Sequence, residues 1–101
     1  MATFQLAVGA TVVPLKSTST PCQGFLVQAH PDNTAVVWIG GANVSATGKL
    51  GIRIEVPVAS SPLPYFSVSN PSGVAPINLN GWYVVAGATS QFVNVVYVGG
   101  A

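Results

Sequence analysis

The stretch LGIRIEVPV, residues 50–58, carries the clearest structural pattern in the chain. Ile52, Ile54 and Val56 alternate with Arg53 and Glu55, so apolar and charged side chains would lie on opposite faces of an extended segment. This period of two is typical of a β-strand with one buried face, and no part of the chain shows convincing helical periodicity. The stretch therefore predicts a strand in an all-β fold.

Apolar or alternating runs recur on both sides of this stretch, with turn residues at the roughly 8–12-residue spacing of sandwiches and barrels. No linker separates them, and 101 residues are enough for one small domain. The sequence predicts a single β domain over residues 1–101, a small antiparallel β-sandwich or barrel of about 7–8 short strands. The predicted strands lie in residues 3–8, 10–15, 24–29, 34–40, 50–58, 65–69, 81–87 and 91–100.

The tetrapeptide HPDN separates the predicted strands 24–29 and 34–40. Pro31 and Asp32 suit the middle of a type I-like turn, and Asn33 tolerates the left-handed backbone conformation that such a turn favours. The pattern predicts a β-hairpin formed by these two strands.

A second hairpin is predicted for residues 81–87 and 91–100, which flank the short polar segment ATS. Pro14 falls inside the predicted strand 10–15 and has no backbone N–H to donate to a neighbour. Pro14 therefore predicts an edge strand or the end of a strand. Both ends of the chain are strand-like, and we expect that either one extends a partner's sheet by edge addition.

Charge is scarce in this sequence. Half of the residues are hydrophobic and only 5% are charged, against roughly a quarter in average proteins. A surface so poor in charge suits a subunit that buries much of itself in an assembly. The formal net charge is +1 and no basic patch occurs, which argues against nucleic-acid binding.

Membrane insertion and secretion are also disfavoured. The longest apolar runs fall short of the roughly 18–20 residues that a spanning helix needs, and the N-terminal segment lacks a basic region of the signal-peptide type. Cys22 is the single cysteine, which excludes an internal disulfide and a cysteine-based metal site. Since secreted domains of this size usually carry disulfides, we expect assembly in a reducing cytoplasm.

Few residues offer catalytic chemistry. The pairs to consider are His30 with Asp32, Cys22 with His30, and the two acids Asp32 and Glu55, and no G-x-S-x-G element or metal-ligand spacing accompanies them. We expect Asp32 to shape its turn and Glu55 to lie on a solvated strand face. The sequence predicts a protein that is not an enzyme and holds no cofactor or metal.

Five residues are candidates for binding a partner: Trp38, Arg53, Glu55, Trp82 and Tyr83. Arg53 and Glu55 share a strand face, as a surface ion pair worth at most about 1 kcal/mol or as a polar spot that fixes register with a partner. The aromatic residues either line a sugar-binding groove or anchor a core or a subunit interface.

The segment NTAVVWIGGANVSATG, residues 33–48, resembles small β-sandwich virion structural proteins of tailed bacteriophages. Those proteins often show an Asn-Thr turn, a strand that ends aromatic–aliphatic–Gly, a Val-Ser pair and a following Gly. The strand GFLVQA and the late segment GWYVVAGATSQFVNVVYVGG also fit their layout. The corresponding residues are Asn33, Thr34, Trp38, Ile39, Gly40, Val44, Ser45 and Gly48.

The resemblance implies a non-enzymatic virion component that is assembled in the bacterial cytoplasm. The first expectation is a capsid decoration (cement) protein, or a head-fibre base, that binds the major capsid protein or other virion subunits as a symmetric homo-oligomer, with a trimer favoured. The alternative is a tail or baseplate accessory protein, or a carbohydrate- or receptor-binding module. Neither reading involves nucleic acid or a membrane.

Overall fold

The protein consists of two antiparallel β-sheets that enclose an apolar core. In this computed structural model the residues described are 2–58, 61–69 and 77–99. They form nine strands and one short 3-10 helix, Leu79–Gly81, so the all-β sandwich predicted from the sequence is confirmed. The strands are β1 Ala2–Val8, β2 Val13–Pro14, β3 Pro21–Ala29, β4 Val37–Gly40, β5 Ile52–Ile54, β6 Tyr65–Ser69, β7 Ile77–Asn78, β8 Tyr83–Ala86 and β9 Gln91–Gly99.

The strands divide into a large sheet and a small sheet. The large sheet has the order β1-β9-β3-β6, and β7 pairs with the first residues of β3 on the same side as β6. The small sheet has the order β2-β8-β4-β5. In the large sheet Leu26 lies opposite Val96 and Ser67; in the small sheet Trp38 lies opposite Val85 and Arg53.

The core lies between the two sheets and follows from the period of two in the strands. Val27 and Val95 of the large sheet and Val37 and Ile39 of the small sheet are fully buried in one cluster. Full burial of a side chain of this kind contributes about 1.5–3 kcal/mol. Hydrophobic contact across the sheets is therefore the main force that holds the sandwich closed.

An aromatic group closes one part of this core. The ring centroid of Trp82 lies 5.2 Å from that of Phe25 and 5.7 Å from that of Phe66. The first pair meets edge to face, with an interplanar angle of 69°. Such pairs contribute about 0.5–1.5 kcal/mol beyond the area they bury, so Trp82 ties the start of β8 to β3 and β6.

Both predicted hairpins are wrong. Strands β3 and β4 belong to different sheets, and so do β8 and β9. Each pair is joined by an arch that crosses from one sheet to the other. A period-two pattern shows which face of a strand is buried, but a strand in either sheet of a sandwich satisfies it equally well.

Asn33 gives the physical reason for the first arch. The predicted turn is present, since the Asn33 N–H donates to the His30 carbonyl oxygen at 3.0 Å. The Asn33 side chain is buried; its Nδ2 donates to the Phe92 carbonyl oxygen at 2.8 Å, and its Oδ1 accepts from the Phe92 N–H at 2.9 Å. Asn33 does not adopt the left-handed conformation expected of it, which among the described non-glycine residues occurs at Lys49 and Ser90.

Gln91 locks the second arch against the first. Its Oε1 accepts from the backbone N–H groups of Thr34, at 2.7 Å, and Ala35, at 3.1 Å. Its Nε2 donates to the carbonyl oxygen of Thr89 at 2.9 Å. Because a buried backbone group without a partner costs about 1–3 kcal/mol, these bonds hold both crossings at one end of the sandwich.

Several smaller predictions can be compared with the structure. Pro14 ends β2, an edge strand of the small sheet, as its missing N–H predicted, and β6 covers the predicted residues 65–69. The two-residue strand β7 was not predicted, because two residues give no periodic pattern. Strand β9 lies between β1 and β3, so the expectation that the C-terminal strand extends a partner's sheet is wrong through Gly99. Residues 1, 59–60, 70–76, 100 and 101 of the predicted strands and loops lie outside the described part.

Candidate functional site

The outer face of the small sheet is covered by the protein's own chain. Trp38 points away from the core, opposite in direction to Val37 and Ile39, and only 8% of its surface is exposed. It packs with Val85 and with Val44, a residue of the segment 41–51 that folds over this face. We call residues 41–51 the cover loop. Trp38 is thus buried in a second apolar cluster.

The cover loop is held by local bonds and by one glycine. Ser45 and Leu50 exchange backbone hydrogen bonds of 3.0 and 2.9 Å, and the Gly48 N–H donates to the Ser45 Oγ at 2.9 Å. Gly51 has a φ of 128°, and a Cβ there would lie 2.6 Å from the Val44 Cγ2. Only glycine fits this conformation and this space, so Gly51 lets Val44 seal the cluster.

Arg53 and Glu55 lie at the edge of the same face. The Arg53 guanidinium carbon lies 5.7 Å from the centre of the Trp38 ring, and its Nε forms an ion pair with the Glu55 carboxylate. The side chains are 49% and 57% exposed, so water screens the pair and its contribution to stability is small. The two charges stand on the open edge of β5, next to a cluster that has no charge of its own.

The remaining two candidates lie on different faces. Tyr83 is half-buried and packs on the Trp38 cluster outside the small sheet. Trp82, its neighbour in sequence, packs on the core with Phe25 and Phe66. Of the five residues predicted to bind a partner, Trp38, Tyr83, Arg53 and Glu55 therefore come together and Trp82 does not. The two tryptophans do not line a common groove.

The outer face of the large sheet is bare by comparison. Apart from His30, which lies just beyond β3, every described side chain that points outward from its four main strands belongs to an uncharged residue type. The side chains of this face are Thr3, Gln5 and Ala7 of β1; Phe92, Asn94, Val96 and Val98 of β9; Leu26 and Gln28 of β3, with His30 just beyond it; and Tyr65, Ser67 and Ser69 of β6. We call this surface the bare face.

A shallow depression of about 390 Å³ lies on the bare face. Its lining includes the apolar side chains of Leu26, Val96 and Val98, together with Ser67 and Ser69 of β6. Gly24 also lines it, and the absence of a Cβ there lets β6 approach closely, because a Cβ would lie 3.0 Å from the Val68 carbonyl oxygen. The depression offers a place for an apolar side chain of a partner and no acid or base for catalysis.

His30 and Asp32, one of the pairs considered from the sequence, lie close together, with 3.9 Å between the His30 Nδ1 and the Asp32 Oδ2. The His30 Nδ1 accepts from the Asp32 backbone N–H at 3.1 Å, and the His30 ring lies 5.8 Å from that of Phe92. Cys22 is fully buried in β3, and burial raises the pKa of its thiol, which disfavours the nucleophilic thiolate.

Across residues 2–58, 61–69 and 77–99, no three or more His, Cys, Asp or Glu side chains gather closely enough to hold a metal ion. In the same ranges no helix has the length and hydropathy needed to cross a bilayer.

Comparison with protein-family models, curated proteins and solved structures found no match to the chain.

The bare face was missed by the sequence analysis. In β9 both sets of alternate residues are largely apolar, with Val93 and Val95 inside and Val96 and Val98 outside, so periodicity does not show which set faces outward. The polar residues of β3 and β1 at matching positions, Gln28 and Gln5, are the signal that would have located it.

Proposed function

We propose that the protein is a non-enzymatic virion structural subunit that binds a phage head through its bare face and stabilises the shell. The observation that carries the proposal is an exposed sheet face that has an apolar depression and no Asp, Glu, Lys or Arg among its described residues. The resemblance of residues 33–48 to phage decoration proteins supplies the kind of assembly. A homotrimer on the major capsid protein is the predicted arrangement.

The layout of the bare face suits contact with protein. Leu26, Val96 and Val98 line its apolar depression, while Gln5 and Asn94, which are hydrogen bonded at 3.2 Å, lie outside that depression. Stable interfaces commonly have an apolar centre and a polar rim. Apolar contact area of this kind drives association without a specific charged partner.

Because the bare face has no Asp, Glu, Lys or Arg among its described residues, the proposal makes a specific prediction about how shell binding depends on salt. A contact formed by apolar and amide groups is not screened, so shell binding is expected to change little as ionic strength rises. Docking through charged residues would weaken under the same conditions. A salt titration of binding therefore distinguishes the bare face from the charged edge of β5.

The decisive experiment mixes the purified protein with undecorated phage heads and measures co-sedimentation and resistance of the heads to heat. The wild type is expected to saturate a fixed number of sites and to protect the heads. Val98→Asp, which places a charge in the apolar depression of the bare face, is expected to abolish binding because the charge would be desolvated. The matched control is Thr47→Asp, an exposed position in the cover loop.

Two results would refute the proposal: no saturable binding of the wild type, or equal binding by Val98→Asp and the wild type. Loss of binding by both Asp variants would also count against the bare face as the contact surface. A glycan array tests the alternative function. Because Trp38 and Trp82 lie on different faces, we expect no glycan ligand that depends on both.

A further inference from the structure

We propose that the open edge of β5 forms a two-fold contact between two copies of this chain. In this contact the β5 edges pair antiparallel, and Arg53 of each copy lies opposite Glu55 of the other. The contact would join two small sheets into one continuous sheet. It is independent of the proposed shell binding, which uses the opposite side of the sandwich.

The edge of β5 is exposed and apolar around its two charges. Strand β5 is the last in the small sheet, and no strand of the described residues pairs with it on the side away from β4. The segment that contains it carries three of the six large apolar side chains that are exposed in the described chain: Leu50 at 50%, Ile52 at 45% and Val58 at 66%. Covering such an edge with another strand is favourable, because it buries apolar side chains and pairs open backbone groups.

The hydrogen bonds of β4 show which backbone groups of β5 point outward. The Gly87 N–H donates to the Val36 carbonyl oxygen at 3.1 Å, so Val36 and each second residue after it direct their backbone groups to β8. Val37 and Ile39 therefore direct theirs to Ile54 and Ile52 of β5. It follows that the alternate residues of this segment, Arg53 and Glu55, present their N–H and C=O groups at the open edge.

One antiparallel register pairs both the outward backbone groups and the side-chain charges of Arg53 and Glu55. When two copies pair about Ile54, each Arg53 lies opposite a Glu55 and the two residues exchange both backbone hydrogen bonds. The same register places Ile52 opposite Val56, and position 50 opposite position 58. Pro57 has no N–H to donate, so the ladder weakens at that residue.

The charges select a second copy as the partner. Pairing about Arg53 or about Glu55 places like charges opposite each other, and so does a parallel in-register pair. Only the register centred on Ile54 gives two opposite-charge pairs, because the two charges have opposite signs and lie two residues apart on one face. Opposite charges that face each other across strands stabilise the pair, and like charges destabilise it. This is the self-complementarity that a two-fold interface requires.

Charge reversal and mixing test the contact. Sedimentation velocity over a concentration series is expected to show reversible doubling of the wild-type particle mass. Glu55→Arg alone and Arg53→Glu alone each turn both attractive pairs into repulsive ones, and each is expected to weaken self-association at least about tenfold. The double variant Arg53→Glu/Glu55→Arg restores opposite pairs and is expected to associate like the wild type.

Mixing the two single variants separates this contact from a general effect on folding. The Glu55→Arg edge carries two positive charges and the Arg53→Glu edge two negative charges, so every facing pair in the mixed contact is attractive. Native mass spectrometry is therefore expected to show complexes that contain the two variants in a one-to-one ratio. Thermal unfolding of each single variant serves as the folding control, since both side chains are about half exposed. A wild type that does not double, single variants that associate like the wild type, or a mixture that stays dissociated would each overturn the proposal.

Discussion

The outer faces of the two sheets differ in whether another segment of the chain covers them. On the small sheet the cover loop folds over Trp38 and leaves 8% of that residue exposed. On the large sheet no described segment lies over Leu26, Val96 and Val98, which form an open depression. The most prominent aromatic residue of the sequence is thus used inside the chain. The outer face of the large sheet is built mainly from aliphatic, hydroxyl and amide side chains, with Tyr65 and Phe92 as exposed aromatic residues.

This difference shows that the residue types usually expected in a binding site are a poor guide when the chain can bury them itself. Trp38 contacts Val44 and Val85 on one side and lies under the Arg53 guanidinium on the other. Its large apolar area is satisfied without a partner. The most exposed side chains of the bare face, Tyr65 and Val98, have no such cover, and shortening them should leave the folded state almost unchanged.

The largest expected effect is therefore the loss of Trp38. Trp38→Ala is expected to lower the free energy of unfolding by about 3–5 kcal/mol, because it leaves a cavity beneath the cover loop. Tyr65→Ala, on the bare face, is the matched control and is expected to cost less than about 1 kcal/mol, since Tyr65 is 62% exposed. Urea denaturation of both variants measures the difference. Similar losses of stability in the two variants would show that the covered face contributes no more to the free energy of unfolding than the bare face.

Substitution of Asn33 tests whether its hydrogen bonds to Phe92 hold the arch between β3 and β4. Asn33→Ala removes the partners of the Phe92 N–H and carbonyl groups and is expected to cost about 2–3 kcal/mol. The control is Asn43→Ala, an exposed asparagine of the cover loop for which a change within about 0.5 kcal/mol is expected. Equilibrium unfolding with a chemical denaturant gives both values. A neutral Asn33→Ala would mean that the arches do not depend on this bond pair.

Gly51 tests the closure of the cover loop directly. Gly51→Ala places a Cβ 2.6 Å from the Val44 Cγ2 at a φ of 128°, and a cost of about 1–2 kcal/mol is expected from strain and overlap. At Gly81, where a Cβ would meet no atom within 4 Å, the same substitution is expected to be neutral or slightly stabilising. Thermal denaturation measures the change in stability of both variants. If the two alanine variants behave alike, Gly51 does not close the loop.

The sequence predicted the strands well and their partners poorly. The alternation in residues 50–58 located β5, although only Ile52–Ile54 form a strand, and Pro14 located an edge. The pairing of β3 with β9 joins residues far apart in the chain, such as Leu26 and Val96. Local pattern carries no information on such contacts, because a strand that buries one face looks the same in either sheet. The arches depend on buried bonds of Asn33 and Gln91, which resemble ordinary turn residues in the sequence.

The candidate site illustrates the same limit. Arg53 and Glu55 were recognised because charge is rare in this chain and a strand places both on one face. The direction of their backbone groups is a property of the β4–β8 ladder, which the sequence does not show. Which aromatic residue is buried likewise depends on whether a loop folds over it, and the burial of Trp38 follows from the position of Val44.

The smallest effect on stability is expected at Val98, which lies in the proposed contact surface. Val98→Asp should cost about 1 kcal/mol or less in stability, because Val98 is exposed, and the cost reflects the low strand preference of Asp. Thr47→Asp should cost still less, since Thr47 lies in an exposed turn. The stability of both variants is measured by denaturation before shell binding is compared. If Val98→Asp unfolds the protein, the bare face is part of the folding core; if the variant is stable and no longer binds, the face is the contact surface. The comparison of the two sheets predicts the second result, because the core lies between the sheets and the small sheet alone is covered on its outer side.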